Sequence, residues 1–313
     1  MEWSIIDREG YGAQFNRLSI KGNLLKKEAK TPYGEQRIEN EIVFLKFIIN
    51  NGIQFPIPHI ESFGTSSYTM KYYTEYQPLS KIYQMYSLTD KQKILDSIYT
   101  HLSVLHQSKK LQILDVYYKE SLYSELIVKV LDRIKLIEPV LAQYSHVKKV
   151  NNLDILPLTL ITEFLTKEMY IFMNTKTDFY LCPIHGDCQF NNILINKDNQ
   201  LIFIDPRGYY GTSKIYGIPE YDSAKIEFAL SGYDIFDSMT IESLHISNDT
   251  IFLDDLRLVK TSSNRFSYVL ALSIWLGNAH CFIDNPAKAF YSYSYAMWLC
   301  SLFIGEQRNQ NYE

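Results

Sequence analysis

Two short apolar runs around one polar turn constrain this chain more than any other stretch. Asn192-Ile-Leu-Ile195 and Leu201-Ile-Phe-Ile204 flank Asn196-Lys-Asp-Asn-Gln200, and the pattern predicts two buried strands joined by a tight turn. Such a hairpin carries Asn192 and Asp205 back to one another, and Asp187 stands five positions before Asn192 in the preceding Ile184-His-Gly-Asp187. Two carboxylates and an amide in that order can orient and deprotonate a hydroxyl while holding a divalent cation through oxygen.

Phosphoryl transfer from a nucleotide makes those demands. The protein-kinase catalytic loop, H-R-D-x-x-x-x-N, has its Asn five positions after its Asp, and here Gly186 stands in place of the Arg. The segment resembles the aminoglycoside phosphotransferase and choline kinase family, whose pattern HGDxxxxN followed by I-D is matched by His185, Gly186, Asp187, Asn192, Ile204 and Asp205. The resemblance implies an α+β, bilobal protein-kinase-like fold, with a small antiparallel β-sheet N-lobe and a larger, mainly helical C-lobe. It implies Asp187 as catalytic base, Asn192 and Asp205 as ligands of Mg2+, His185 as the residue that organises the catalytic loop, and ATP or GTP as co-substrate. Pro206-Arg207-Gly208 departs from many relatives, which carry an aromatic or acidic residue there. Two readings of Arg207 stand: contact with a phosphate or anionic substrate, or a structural ion pair. An isolated HGD is a weak signal, because Asp and Asn commonly belong to ordinary turns. The flanking strands and the spacing give it weight.

Residues 1–76 read as the nucleotide lobe, with a hinge at 70–76, and residues 77–313 as the catalytic and substrate-binding lobe. Trp3–Ile6, Phe15–Ile20 and Asn23–Glu28 are strand-like pieces forming a meander. Gly10 and Gly12 lie where a glycine loop lets backbone N–H groups approach phosphates, although two glycines in a turn more often mark only a hairpin. Lys26 and Glu41 are the candidates for the strand lysine and helix glutamate that hold the nucleotide phosphates, with Lys27 as rival because a one-residue slip reverses the face. Ile38, Ile42, Leu45 and Ile49 form the apolar stripe of the helix carrying Glu41, and Asn50-Asn-Gly52 ends it. Tyr68–Tyr73 reads as the strand entering the linker. The resemblance implies that the backbone from Met70 to Tyr72 and Tyr73 meets the purine.

Beyond Leu79 the pattern is helical. Ile94, Ile98, Leu102 and Leu105 share a face that ends at His106, Ser121 to Leu141 carries another stripe, and Leu158 to Phe172 a third. His106 reads as structural. Glu220-Tyr-Asp-Ser-Ala-Lys225 resembles the family segment that packs beneath the catalytic loop, which makes Asp222 an anchor for loop backbone or a helix cap. Asn278, His280, Asp284, Asn285, Pro286 and Lys288 interrupt the apolar stretch from Tyr268 to Phe303, which therefore predicts two buried helices and no membrane insertion.

Composition narrows the class of partner. The chain has 313 residues, 46% of them hydrophobic, and 31 Lys plus Arg against 35 Asp plus Glu. With no basic run, it lacks the footprint of a nucleic-acid binder, and a small-molecule partner is expected. Met1–Asp7 has no basic segment leading into an apolar stretch, so no secretory signal is visible. Cys182, Cys188, Cys281 and Cys300 make no disulfide framework or metal pair, in keeping with a cytoplasmic location, and Cys188 fills a variable loop position.

The acceptor is the least constrained element. Tyr209, Tyr210, Tyr216, Tyr221, Tyr233, Tyr291, Tyr293, Tyr295 and Trp298 would stack on a sugar or cage an amino alcohol, yet 25 tyrosines scattered through the chain also read as compositional bias and helix packing. Acidic residues are too dispersed for a polycationic aminoglycoside, and Arg207 points toward a sugar or polyol, such as a surface-glycan precursor. Choline, ethanolamine or aminoglycoside kinases are the alternative. A protein kinase fits poorly, because no A-P-E motif follows Arg207. A nucleotide-binding pseudokinase or interaction scaffold is the alternative of another class; such proteins typically lose the base or a metal ligand, and all three are present here.

Overall fold

The structure, a computed structural model, describes residues 2–6, 14–253 and 264–310, the last five by backbone alone. Gly10 and Gly12 lie outside the described residues. Compactness separates two units: Met1–Ile113 with Tyr180–Ile226, and Leu114–Phe179 with Glu227–Glu313.

The first unit begins with five antiparallel strands, β1 (Ser4–Ile6), β2 (Asn16–Lys21), β3 (Leu24–Ala29), β4 (Ile60–Phe63) and β5 (Ser67–Lys71), in the order β1-β2-β3-β5-β4. Gly22 has φ +60° and makes the tight turn between β2 and β3, where a side chain would be strained. Helix α1 (Pro32–Asn50) starts at Thr31, whose hydroxyl accepts from the Gly34 N–H at 3.1 Å, with Pro32 in the first turn, where its missing N–H costs nothing. Leu25, Ile38, Ile42, Leu45, Tyr68 and Met70 form the core between α1 and the sheet. Ile49, assigned to that stripe by its spacing, is 48% exposed; Ile48 is buried in its place. At the end of a helix the 3.6-residue period allows either neighbour to face inward.

Helix α2 (Leu88–Gln107) buries Ile94, Ile98, Leu102 and Leu105. The strands β6 (Ile193–Ile195) and β7 (Leu201–Phe203) pair antiparallel in the register Ile193↔Phe203 and Ile195↔Leu201. Helix α3 (Pro219–Phe228) follows. The hairpin is fastened to the first part of the unit: the Phe203 N–H donates to the Pro56 carbonyl at 2.8 Å, and the Phe55 and Phe203 rings lie 4.7 Å apart.

The second unit is mainly helical. Residues 115–136 run helically with one π turn at Ser124–Val128, then break at Ile137 and resume as Glu138–Gln143. The single helix expected from Ser121 to Leu141 is thus two, because Pro139 has no N–H to continue the ladder. Leu158–Asn174, Arg265–Asn278 and Pro286–Gln310 are the other long helices. Trp275 is fully buried against Phe228 (4.7 Å), Tyr295 (4.7 Å) and Phe236 (5.8 Å). Among the described residues no helix is long and apolar enough to cross a membrane.

Gly208 is the tightest point of the first unit. Its φ is +69°, and a Cβ there would meet the Asn40 carbonyl oxygen of α1 at 2.2 Å. Gly52 has φ +60° with nothing within 4 Å of a Cβ. Gly208→Ala therefore combines left-handed strain with overpacking and should cost about 2 to 5 kcal/mol, whereas Gly52→Ala should cost only about 1 to 2 kcal/mol. Urea denaturation of both variants checks the difference, and equal losses would contradict it.

Candidate active site

Strand alternation places one lysine of β3 inside and its neighbour outside. Leu25 and Lys27 share the face toward α1, and Lys27 is 2% exposed. Its ammonium meets Glu41 Oε1 at 2.9 Å and Oε2 at 2.8 Å, and Asp205 Oδ1 at 2.9 Å. The Tyr68 hydroxyl, opposite Lys27 on β5, donates to Glu41 Oε2 at 2.9 Å. Lys26, the first candidate for this position, instead pairs with Glu28 at 2.5 Å on the outer face. The correction is one of parity: Leu24-Leu25-Lys26-Lys27 offers Leu and Lys on both faces, and only the following Glu28 and Ala29 separate a polar side from an apolar one.

Burial of Lys27 works against its charge, but Asp205 and Glu41 outweigh it and hold the pKa above the usual lysine value. Glu41 lies above the usual carboxylate range, because its own burial exceeds the pull of Lys27. One ammonium is thus set against two carboxylates in a nearly dry pocket.

Asp205 and Asp187 are carried by the two ends of the hairpin region. Asp205 has φ +55°, an uncommon conformation for a residue with a side chain. The Ile204 N–H donates to the Asn192 carbonyl at 2.9 Å, which sets β7 and its Asp beside Asn192. Asn192 Nδ2 donates to the Asp187 carbonyl at 2.8 Å and to Asp187 Oδ2 at 3.1 Å, so the amide oxygen of Asn192 faces away from Asp187. The other Asp187 oxygen, Oδ1, lies 2.9 Å from the ammonium of Lys225 on α3. Burial pushes the Asp187 carboxyl up, but Lys225 and then Arg37 outweigh it, and its pKa falls below the ordinary carboxylate value.

A buried carboxylate supports the loop from below. Asp222 accepts the His185 N–H at 2.9 Å and the Gly186 N–H at 2.7 Å, while His106 Nε2 lies 2.9 Å from its Oδ2. Gly186 has φ +77°, and a Cβ there would strike Arg207 Cβ at 2.9 Å, so the two loops leave room only for glycine. His185 is wholly buried, ringed by Phe203 (5.8 Å), Phe44 (6.0 Å) and Phe55 (6.3 Å). Burial lowers its pKa, which keeps it neutral, and Nδ1 faces the Asp187 N–H at 3.3 Å. Cys188 is buried with Sγ 3.3 Å from the Asp222 carbonyl, and burial raises its thiol well above the usual value. A thiol so placed is no nucleophile.

Other sequence candidates are placed differently. Met70 is a core side chain of β5, and the Tyr72 N–H is donated to the Asn23 carbonyl at 2.7 Å. Arg207 Nη1 donates to the Tyr221 hydroxyl at 2.9 Å, with its guanidinium 4.1 Å from the Tyr209 ring centre. Tyr210, Tyr221, Tyr291 and Tyr295 are buried packing residues, not an exposed aromatic surface. The residues that sequence reasoning left out are Tyr68, Arg37 and Lys225. Arg37 lies one helical turn before Glu41 on α1, a spacing legible in the sequence. Lys225 stands three residues after Asp222, so both project from one face of α3 toward the loop.

No protein-family model and no curated protein matches the sequence. Solved structures do match the fold. Choline kinase LicA from Streptococcus pneumoniae aligns with a TM-score of 0.55 at 13% identity, covering 96% of this chain and 94% of that one. The GDP and kanamycin complex of APH(2")-IIia aligns with a TM-score of 0.53 at 13% identity, covering 99% and 93%. Glucosamine kinase in complex with glucosamine, ADP and inorganic phosphate aligns with a TM-score of 0.50 at 12% identity, covering 98% and 81%. The chain therefore shares the protein-kinase-like fold of the choline, aminoglycoside and glucosamine kinases with which it aligns.

Proposed function

We propose that the chain is a Mg2+-dependent phosphotransferase that moves the γ-phosphoryl group of ATP or GTP to a hydroxyl of a sugar or polyol. One observation carries the reading: Lys27 holds Glu41 and Asp205 together, while Asn192 links the Asp205 strand to the carboxylate of Asp187.

Asp187 is the base in this reading, and its depressed pKa keeps it ionised near neutrality. A hydroxyl beside it is oriented as the oxygen approaches phosphorus and gives up its proton to the carboxylate. Asp205 and the outward amide oxygen of Asn192 are hard oxygen donors, the kind Mg2+ takes, and the Asp205 side chain is 22% exposed. Bound there, Mg2+ would neutralise charge on the phosphates. Lys27 takes the phosphate-contacting role first given to Lys26. Because the Tyr72 N–H is already donated, the purine edge falls to the Tyr72 carbonyl and to the linker residues after it. The core placement of Tyr210, Tyr221, Tyr291 and Tyr295 takes those four out of an aromatic cage for an amino alcohol, while Tyr209, Tyr216, Tyr233, Tyr293 and Trp298 are partly exposed.

The decisive experiment incubates the chain with ATP or GTP, Mg2+ and fractionated metabolites, with mass detection of a phosphorylated product. Binding of nucleotide without consumption in any fraction would favour a scaffold instead. Asp187→Asn should lower turnover by about 10² to 10⁴ while nucleotide binding persists. Asp205→Ala should abolish the Mg2+-dependent part of nucleotide binding in a thermal-shift titration. Lys27→Met should weaken nucleotide binding by roughly tenfold or more, the loss of a charge-assisted hydrogen bond, and Lys26→Met should leave it unchanged; the reverse ranking would return the role to Lys26.

A further inference from the structure

The catalytic loop supplies no cation of its own. His185 to Leu194 contains neither Lys nor Arg, and Gln189, two residues after Asp187, spends its side-chain oxygen on the Asn191 N–H at 2.9 Å. The larger positive influence on the base comes instead from Lys225 of α3, with Arg37 of α1 second. Lys225 reaches Asp187 Oδ1 at 2.9 Å with a side chain only 14% exposed. Asp222, three residues earlier, holds the loop backbone through His185 and Gly186. The same helix face thus holds the loop backbone and carries the ammonium.

We propose that Lys225 is a further catalytic residue of this reaction: its ammonium, seated on Asp187, also binds a non-bridging oxygen of the phosphoryl group being transferred. The inference rests on the phosphotransferase reading above. A hydroxyl within hydrogen-bonding distance of Asp187 has its reacting phosphorus about 3 to 3.5 Å away in a near-attack arrangement. An ammonium on the neighbouring carboxylate oxygen then lies beside the phosphoryl oxygens. A lysine ammonium carries three N–H donors, so contact with one carboxylate oxygen does not exhaust it. In the step, the acceptor oxygen forms its bond to phosphorus as the bond to the nucleotide β-phosphate oxygen breaks. The hydroxyl proton goes to Asp187, the electron pair of the broken bond leaves with the nucleoside diphosphate, and Lys225 keeps its proton throughout. Its part is to hold charge on the oxygens that carry it during transfer.

Nucleotide binding to the full chain with Mg2+ tests the inference without an acceptor. The probes are ADP and AMP-PNP, a non-hydrolysable triphosphate. Wild-type protein should prefer AMP-PNP, and Lys225→Ala should shrink the ratio of the two dissociation constants about tenfold, as expected for one charge-assisted hydrogen bond to the terminal phosphate. Lys225→Arg should keep most of the preference. Lys225→Met, which retains the aliphatic stem, substitutes for the alanine variant if that one melts early. An unchanged ratio in folded Lys225→Ala or Lys225→Met overturns the inference and leaves Lys225 as a support for Asp187, with the phosphotransferase reading intact. Failure of the wild-type chain to bind either nucleotide would overturn both.

Discussion

The ammonium of Lys27 is the constraint on which the first unit depends. It ties β3 to α1 through Glu41 and both to the end of β7 through Asp205, three segments far apart in sequence. Removing one partner of a buried ion pair costs about 3 to 5 kcal/mol, because the remaining charge stays desolvated. Such a contact is a poor source of net stability and a strict specifier of position. The Tyr68 hydroxyl adds a hydrogen bond to Glu41, so the pair is satisfied in one geometry. The close approach of Gly208 to the Asn40 carbonyl, one residue before Glu41, constrains the seating of α1 as well.

Asp222 does for the catalytic loop what Lys27 does for the sheet. Burial would raise its carboxyl, but hydrogen bonding from His106 and from the Gly186 backbone, with the charges nearby, holds it below the ordinary value. The loop N–H groups it accepts belong to residues whose backbone cannot follow a regular ladder, Gly186 having φ +77°. A carboxylate supplied by α3 replaces the missing ladder partners. The neutral His185 fills the space between loop and aromatic core, where a charged ring could not remain.

Much of this was legible before any coordinates. Short continuous apolar runs around a polar turn give β6 and β7, and the stripe Ile94, Ile98, Leu102, Leu105 gives α2, where helical period and burial coincide. Legibility fails where a pattern is symmetric. Leu24-Leu25-Lys26-Lys27 reads the same on both faces, and the tie is broken by Tyr68 and Glu41, which lie elsewhere in the sequence. Lys225 was hidden for another reason: its partner Asp187 is 38 residues upstream by subtraction of their positions, and no local spacing links a helix lysine to a loop carboxylate. Tyrosine richness left stacking and packing both open in the sequence, and Tyr210 and Tyr295 serve as core volume.

The two carboxylates of the site end in different electrostatic settings, and the difference suits different work. Asp187 faces an ammonium on one oxygen and an amide N–H on the other, an arrangement that fixes its orientation and keeps it ionised despite burial. Asp205 shares its lysine with Glu41, and the Arg37 guanidinium lies near enough to act on both carboxylates. The same fold places both acids within one hairpin's reach yet separates their chemistry by what each is paired with.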